Sequence, residues 1–389
     1  MESFEYENRT KIVFGRGELE NTGRIARGYG TRFLLVTGRK SARATGTYDR
    51  VRNLLEAEEI NVFDLDNVQS NPVLSRVRDG IEAVKKHRIE AVLALGGGSV
   101  MDTAKAVAAG SVLEKGDVWD FFTGKSEIEN ALPVLTVPTI AASGSEMNGF
   151  MVITDEKNHH KLAASSPSVY PRVSILDPVL TCTVGPDYTA YGGVDAVCHL
   201  LEPYFNGSAP STPVQDRIAE GLIINIMDAT GACIRNPHDY ESRATMLWSA
   251  ALALCGLTKA GVGDHFFPVH MIEHSISALF PVAHGAGLAA LLPGWMTWWA
   301  EGNNDKVAQL GERIWQIREN DTSDAARKTV QAFRTWLAET GCPQRLSDIG
   351  ITPGEHRNIA ENAMKQAGIW NVADLYSVET IETILAYCV

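Results

Sequence analysis

Residues Ala91–Asp102 read AVLALGGGSVMD, and the order of those residues decides the fold. Five apolar residues without a polar interruption make a strand buried on both faces, as in the middle of a parallel sheet. Three glycines end it, and a helical pattern follows to Leu113. A strand running through glycines straight into a helix is one βα unit of a layered α/β sheet. The same turn puts backbone N–H groups at a helix N-terminus, where the dipole favours a pyrophosphate. Gly96-Gly97-Gly98-Ser99 matches neither G-x-G-x-x-G nor the P-loop pattern. A tight turn with Ser99 as helix cap is therefore the competing reading.

Working outward, four more short apolar runs alternate with helical stretches. Arg32–Val36 (RFLLV) leads into Thr37-Gly38, Asn61–Leu65 (NVFDL) is weaker, and Val134–Val137 runs into Pro138. Val173–Leu176 (VSIL), closed by Asp177-Pro178, is the last. Asn71–His87 and Asp102–Leu113 are amphipathic segments between them. This predicts a Rossmann-like α/β domain with a parallel sheet. Beyond Pro186 the texture changes: helical periodicity dominates from Val194, broken by turns at Asn206–Pro213, Asn236-Pro237 and Thr340–Pro343. The expected division is an α/β domain over residues 1–185 and an all-α domain over 186–389. Two domains suit 389 residues at roughly 100–200 residues each.

Composition narrows the function classes. The chain is 45% hydrophobic and 21% charged, which excludes disordered, collagen-like and coiled-coil chains. With 35 Lys+Arg against 47 Asp+Glu the net charge is −12, so no basic surface for nucleic acid is expected. The apolar stretch His284–Trp299 is too short and too interrupted by Gly and Pro to span a bilayer. The N-terminal MESFEYENRTKIVFG has early acids and no signal-peptide core. Six scattered cysteines, without CxxC spacing, read as reduced thiols. The expectation is a cytoplasmic protein with no membrane partner.

Further candidates for chemistry lie on both sides of the expected boundary. Pro138–Glu146 (PTIAASGSE) is a second small-residue loop after a strand, and two such loops fit the ligand crevice of an open α/β sheet. A flexible surface loop is the alternative. Asp195 and His199 stand four apart on one helix face, His270 and His274 repeat that spacing, and His284 follows. One carboxylate with two or three imidazoles suits Zn²⁺ or Fe²⁺ and leaves a coordination position for a substrate oxygen. Hydrogen-bonded core histidines are the competing reading. After the first strand come Gly38, Arg39, Lys40, Ser41 and Arg43, where an acid for a ribose 2′-hydroxyl would stand; cations there accommodate a 2′-phosphate. A solvated basic turn is the alternative. His159-His160-Lys161 reads as an exposed loop whose lysine could reach an anion, and Trp298-Trp299 as helix packing.

Four segments together resemble the iron-containing (group III) alcohol dehydrogenases: GGGSVMDTAKAVA, TIAASGSEMNGFMVIT, GGVDAVCHLLEPYF and HMIEHSISALFPVAHGAGLAALLP. The likeness extends over nearly the whole chain and is stronger to the butanol dehydrogenase and aldehyde reductase branch. It implies a dehydroquinate synthase-like architecture: an α/β cofactor domain, a helical metal domain and an active site in the cleft between them. It implies one divalent metal on Asp195, His199, His270 and His284, with His274 beside it. Gly97, Gly98 and Ser99 match the pyrophosphate turn, and Asp102, Thr139, Ser143 and Lys161 line the cofactor site. The implied reaction is NAD(P)(H)-dependent hydride transfer (EC 1.1.1) between nicotinamide and a small alcohol or aldehyde, in a homodimer; His274 is the candidate proton relay, since an imidazole can give and take a proton near neutral pH.

Two departures qualify that reading. Where NAD-linked members carry an aspartate, this chain has Gly38, then Arg39-Lys40-Ser41, which favours NADP(H) over NAD(H). Around the substrate pocket, Leu257-Thr258-Lys259 with Asn148 and Phe150 differ from relatives. Lys259 raises a second possibility, an anionic aldehyde, against the simpler one of a solvent-facing lysine. Glycerol-type dehydrogenases and a sugar-acid cyclase share the fold, and a silent cofactor sensor is the non-enzyme alternative. The Asp-x3-His…His-x3-His…His pattern favours an alcohol dehydrogenase.

Overall fold

The computed structural model describes residues 1–389. Its strands are β1 (Lys11–Phe14), β2 (Arg32–Gly38), β3 (Asn61–Val68), β4 (Ala91–Gly96), β5 (Val134–Pro138), β6 (Phe150–Asp155), β7 (His160–Ser165) and β8 (Val173–Leu176). Helices α1–α6 are Thr22–Arg27, Ser41–Ala44, Thr47–Ala57, Leu74–His87, Gly98–Ser111 and Trp119–Phe122. Helices α7–α14 are Pro186–Asn206, Pro213–Arg235, Tyr240–Ala253, Pro268–Leu279, His284–Trp315, Thr322–Glu339, His356–Ile369 and Val378–Ala386.

The chain divides into two compact units, Glu7–Val184 with Pro237–Cys255, and Met1–Tyr6 with Gly185–Asn236 and Gly256–Val389. The first is α/β. Its sheet runs β1-β8-β5-β4-β2-β3, every pairing parallel. Alternate strand residues feed two cores. Leu34, Val36, Val92 and Ala94 pack under α4 and α5, while Phe33, Leu35, Leu93 and Leu95 pack under α1 and α3. Strand β4 is buried throughout, as its unbroken apolar run requires. In α4, Leu74, Val77, Ile81 and Val84 repeat at three- and four-residue steps and face the core. Arg88 in the left-handed region (φ 51°) ends that helix, and Ile89 N–H closes onto Val84 O.

The second unit is helical. Proline at the first helical position opens α7, α8 and α10, where its missing N–H is no loss and its φ is already helical. Helix α11 continues through Pro293 and departs from helical geometry only at Asn303, so the Gly/Pro-rich stretch expected to be interrupted is one helix. No helix is long and apolar enough to cross a membrane. None of the six cysteines forms a disulfide, and five are buried.

Four local expectations change. Helix α9, counted with the helical half, belongs to the α/β unit: Trp248 meets Phe14 edge-on, Arg16 lies over Tyr240, and Arg243 donates to Val184 O. The chain's first six residues belong to the helical unit, where Glu2 N–H bonds Gly261 O. Lys161 sits buried in β7 rather than in an exposed loop. His159 is the left-handed turn residue (φ 53°) of the β6–β7 hairpin. Finally, Gly97 and not Ser99 is the N-cap of α5.

Candidate functional site

In the α/β unit, the connection from β2 leads to β3 on one side and that from β4 to β5 on the other. Such a reversal opens a crevice at the carboxyl ends of the strands. Gly38 ends β2 and Gly96 ends β4. Gly97 caps α5 with no side chain, leaving the N–H groups of Gly98 and Ser99 without partners inside the helix. The neighbouring loop after β5 closes in: Thr139 N–H donates to Gly96 O. A Cβ on Gly97 would come within 2.7 Å of Ile140, and one on Gly98 within 2.6 Å of Ser143 Oγ. Glycine is needed there because two loops share the space.

Beneath these loops lies a buried polar cluster that the sequence reading missed. Lys105 is 0% exposed, and its Nζ donates to Ser145 Oγ, Asn148 O and Phe150 O at 2.8–2.9 Å. Asp102 accepts from Ser145 Oγ and Val152 N–H. Burial lowers the Lys105 ammonium to about 8, opposed by Asp102 and Glu146. Burial raises the Glu146 carboxyl to about 7. The Asp102 carboxylate and the Asn148 amide, expected at the cofactor and substrate, also brace this loop: Asn148 donates to Gly144 O and accepts from Phe150 N–H. Phe150 is half-buried in β6. Lys161 Nζ donates to Asn71 Oδ1. At the end of β2, Arg39 is exposed and bonds the neutral Gln69 amide, and Ser41 opens α2.

In the helical unit, Asp195 and His199 come from α7, His270 and His274 from α10, and His284 from the first position of α11. The Nε2 atoms of His270, His199 and His284 stand 3.4, 3.6 and 3.7 Å from one oxygen, Asp195 Oδ1. Three helices thus aim three imidazoles at one carboxylate. His284 reaches it because of glycine: a Cβ on Gly285 would lie 2.4 Å from Tyr191 O, and one on Gly287 would lie 2.8 Å from Glu273 Cγ. The side chains of Asp195, His199 and His270 are 7% exposed, but that of His284 is 27% exposed. The centre opens on the His284 side.

Two buried glutamates, also absent from the sequence reading, stand behind the imidazoles. His270 Nδ1 bonds Glu202 and His284 Nδ1 bonds Glu273, both glutamates 0% exposed. Their signal was present: Glu202 is three residues after His199, and Glu273 three after His270, on the same helix faces. His274 lies beside the group, its ring centroid 5.7 Å from that of His284, with Gln366 Oε1 3.4 Å from Nδ1. Lys259, expected to face solvent, is half-buried with Nζ 5.4 Å above the Phe267 ring. Phe267 in turn meets His199 and His270 edge-on.

The donor set fits a divalent cation. A proton held on Nδ1 by each glutamate leaves the Nε2 lone pair of His270 and His284 turned to Asp195. Burial pushes His199 down to about 3, so it too offers a lone pair. Burial would raise Asp195, but the facing imidazoles hold it well below the usual carboxylate range. Burial should also lower His270, yet Glu202 and Asp195 draw it up to about 10, so its ring takes up a positive charge that a bound cation would replace, freeing Nε2. The cluster has an excess of negative charge that calls for a cation.

The comparisons agree with both units. Residues 9–178 match the model of the iron-containing alcohol dehydrogenases, and 189–389 match that family's C-terminal domain. A probable NADH-dependent butanol dehydrogenase of Bacillus subtilis is 39% identical over 94% of each chain. The NADPH-dependent aldehyde reductase YqhD of Escherichia coli is 32% identical over 95% of each. The crystal structure of NADH-dependent butanol dehydrogenase A from Thermotoga maritima superposes with a TM-score of 0.94 at 41% identity, covering 100% of this chain and 99% of that one. Together these matches define the class, an oxidoreductase of alcohols and aldehydes that uses NAD(P)(H). The chain belongs to the iron-containing alcohol dehydrogenase family, in its butanol dehydrogenase branch.

Proposed function

We propose that this enzyme is a divalent-metal-dependent reductase of small neutral aldehydes that prefers NADPH. One observation carries the metal dependence: three imidazole Nε2 atoms within 3.7 Å of the same Asp195 oxygen. Asp195, His199, His270 and His284 would hold the ion, Fe²⁺ or Zn²⁺. Bound there, a divalent ion acts as a Lewis acid toward an alcohol or carbonyl oxygen, while a nicotinamide accepts or donates the hydride. The protein's share is orientation. The Gly97-Gly98-Ser99 turn presents N–H groups to a pyrophosphate, with Thr139, Ser143 and Lys161 lining the same crevice. The Lys105–Asp102–Ser145 cluster keeps the loop after β5 in place. His274, beside the metal ligands, passes the substrate proton to or from water. Arg39 and Lys40 replace the acid that would select a free 2′-hydroxyl and would pair with a 2′-phosphate.

The test is absorbance at the nicotinamide band with metal-loaded protein, NADPH against NADH, over neutral and anionic aldehydes. NADPH is expected to give the higher kcat/KM, and Arg39→Asp to shift the ratio toward NADH by about tenfold, the worth of one charge-assisted contact. Equal use of both nucleotides by wild type and variant would remove the NADP(H) assignment. His274→Ala is expected to lower kcat and alter its pH profile; an unchanged rate and profile would exclude the relay. Relatives of both nucleotide preferences exist, since the Bacillus protein carries NADH in its name and the Escherichia one NADPH.

A second reading has its own observation. Lys259 is half-buried over Phe267, and its charge is among those lowering His199, so it bears on the metal centre. That placement supports an aldehyde with a carboxylate, phosphate or phosphonate. Turnover confined to anionic aldehydes and abolished by Lys259→Met would establish it. We also propose a homodimer, which sedimentation velocity tests.

A further inference from the structure

We propose that Glu202 and Glu273 are positioning residues that set the affinity of the centre for its metal and make its three histidines unequal. The inference rests on the metal reading above and goes beyond the ligands themselves.

The bracing is crossed between helices. Helix α7 supplies Asp195, His199 and, one turn on, Glu202, whose carboxylate holds a histidine of α10. Helix α10 supplies His270, His274 and Glu273, whose carboxylate holds the histidine that begins α11. Each helix after the first therefore has its ligand locked by the helix before it. Glu202 is fixed in turn, since its second oxygen accepts from Val269 N–H at 2.6 Å and lies 3.4 Å from His270 N. These are the first residues of α10, so the glutamate sits on the helix N-terminus, where negative charge is stabilised. Glu273 is seated by the absence of a side chain at Gly287, where a Cβ would approach its Cγ to 2.8 Å.

The third imidazole lacks such a brace. His199 Nδ1 is buried with no hydrogen-bond partner. Two ligands thus have a carboxylate fixing the tautomer and increasing basicity, and one has neither. Outer carboxylates of this kind change metal affinity by about 10- to 100-fold. His270 and His284 are accordingly the strong imidazole ligands and His199 the weak one.

The test measures metal binding directly. Metal-stripped wild type, Glu202→Gln and Glu273→Gln are titrated with Co²⁺ against a competing chelator, and the visible d–d spectrum is recorded. Glutamine keeps the shape and an acceptor oxygen but removes the charge. The control is Glu220→Gln, a buried glutamate of the same unit that bonds Tyr204 and Arg313 away from the centre. Each clamp variant is expected to bind Co²⁺ about 10- to 100-fold more weakly with a shifted spectrum, while the control matches wild type. A companion pair, His199→Ala and His270→Ala, should show the larger affinity loss at His270. If Glu202→Gln fails to fold, Glu273→Gln decides the matter. Unchanged affinity in the clamp variants, or an equal loss in the control, overturns the proposal while leaving the metal reading intact. Absence of Co²⁺ binding by wild type overturns both.

Discussion

At the scale of single residues, burial decides chemistry more than residue type does. Glu146 is 1% exposed with a carboxyl raised to about 7. Its folded pKa lies above the unfolded value, so the neutral form stabilises the fold. That contribution is whole below about pH 4.3, the unfolded value, and is lost as pH rises through about 7. The shift corresponds to roughly 3 kcal/mol. Glu146→Gln should therefore flatten the fall in stability between pH 5 and pH 8, read as the change in urea midpoint. Equal pH slopes in variant and wild type would show that Glu146 does not titrate in this range. Lys105, by contrast, was legible only as part of a helix. Its ammonium ends in a cage of loop oxygens 40 to 45 positions later in the chain, which no local pattern announces. Replacing it with methionine would leave those carbonyls unsatisfied, a loss of about 3–5 kcal/mol measurable by chemical denaturation.

At the scale of elements, close approach of helices makes the proposed metal centre. The His-Gly-Ala-Gly start of α11 places His284 because Gly285 and Gly287 let the helix end settle against Tyr191 and Glu273. Gly285→Ala must push α11 away from α7. The expected outcome is a destabilisation of about 1–3 kcal/mol, the usual cost of overpacking, with a disproportionate loss of metal affinity. Equilibrium metal titration alongside thermal unfolding separates the two effects. Retained affinity would mean that the helix end adapts. Spacing along one helix made Asp195–His199 and His270–His274 visible in advance. The hairpin β6–β7 was not, because its alternation is short and it forms a small sheet apart from the six-stranded one.

At the scale of the whole molecule, the chain forms two compact units, and the proposed nucleotide and metal sites fall one in each. Removing a metal ligand, as in Asp195→Asn or His270→Ala, should abolish metal binding and lower turnover by at least about 10³-fold, the scale of losing electrostatic stabilisation at the reacting oxygen. NADPH binding, followed by fluorescence, should persist because the proposed nucleotide crevice belongs to the α/β unit. Loss of NADPH binding in these variants would show that the metal centre supports the crevice as well.

The sequence by itself determined five of the six strands of the parallel sheet, the glycine turn after the central strand and the aspartate–histidine set. Those features depend on residue periodicity and on neighbours within two helical turns. Only the tertiary structure decided that α9 belongs with the sheet, that Asp102 and Asn148 brace a loop, and that two glutamates lock the histidines. Glu202 and His270 stand 68 positions apart, so their pairing follows from how helices pack and not from any local spacing. Burial, which sets the charge of Glu146, Lys105 and His199, is likewise a property of the packed chain.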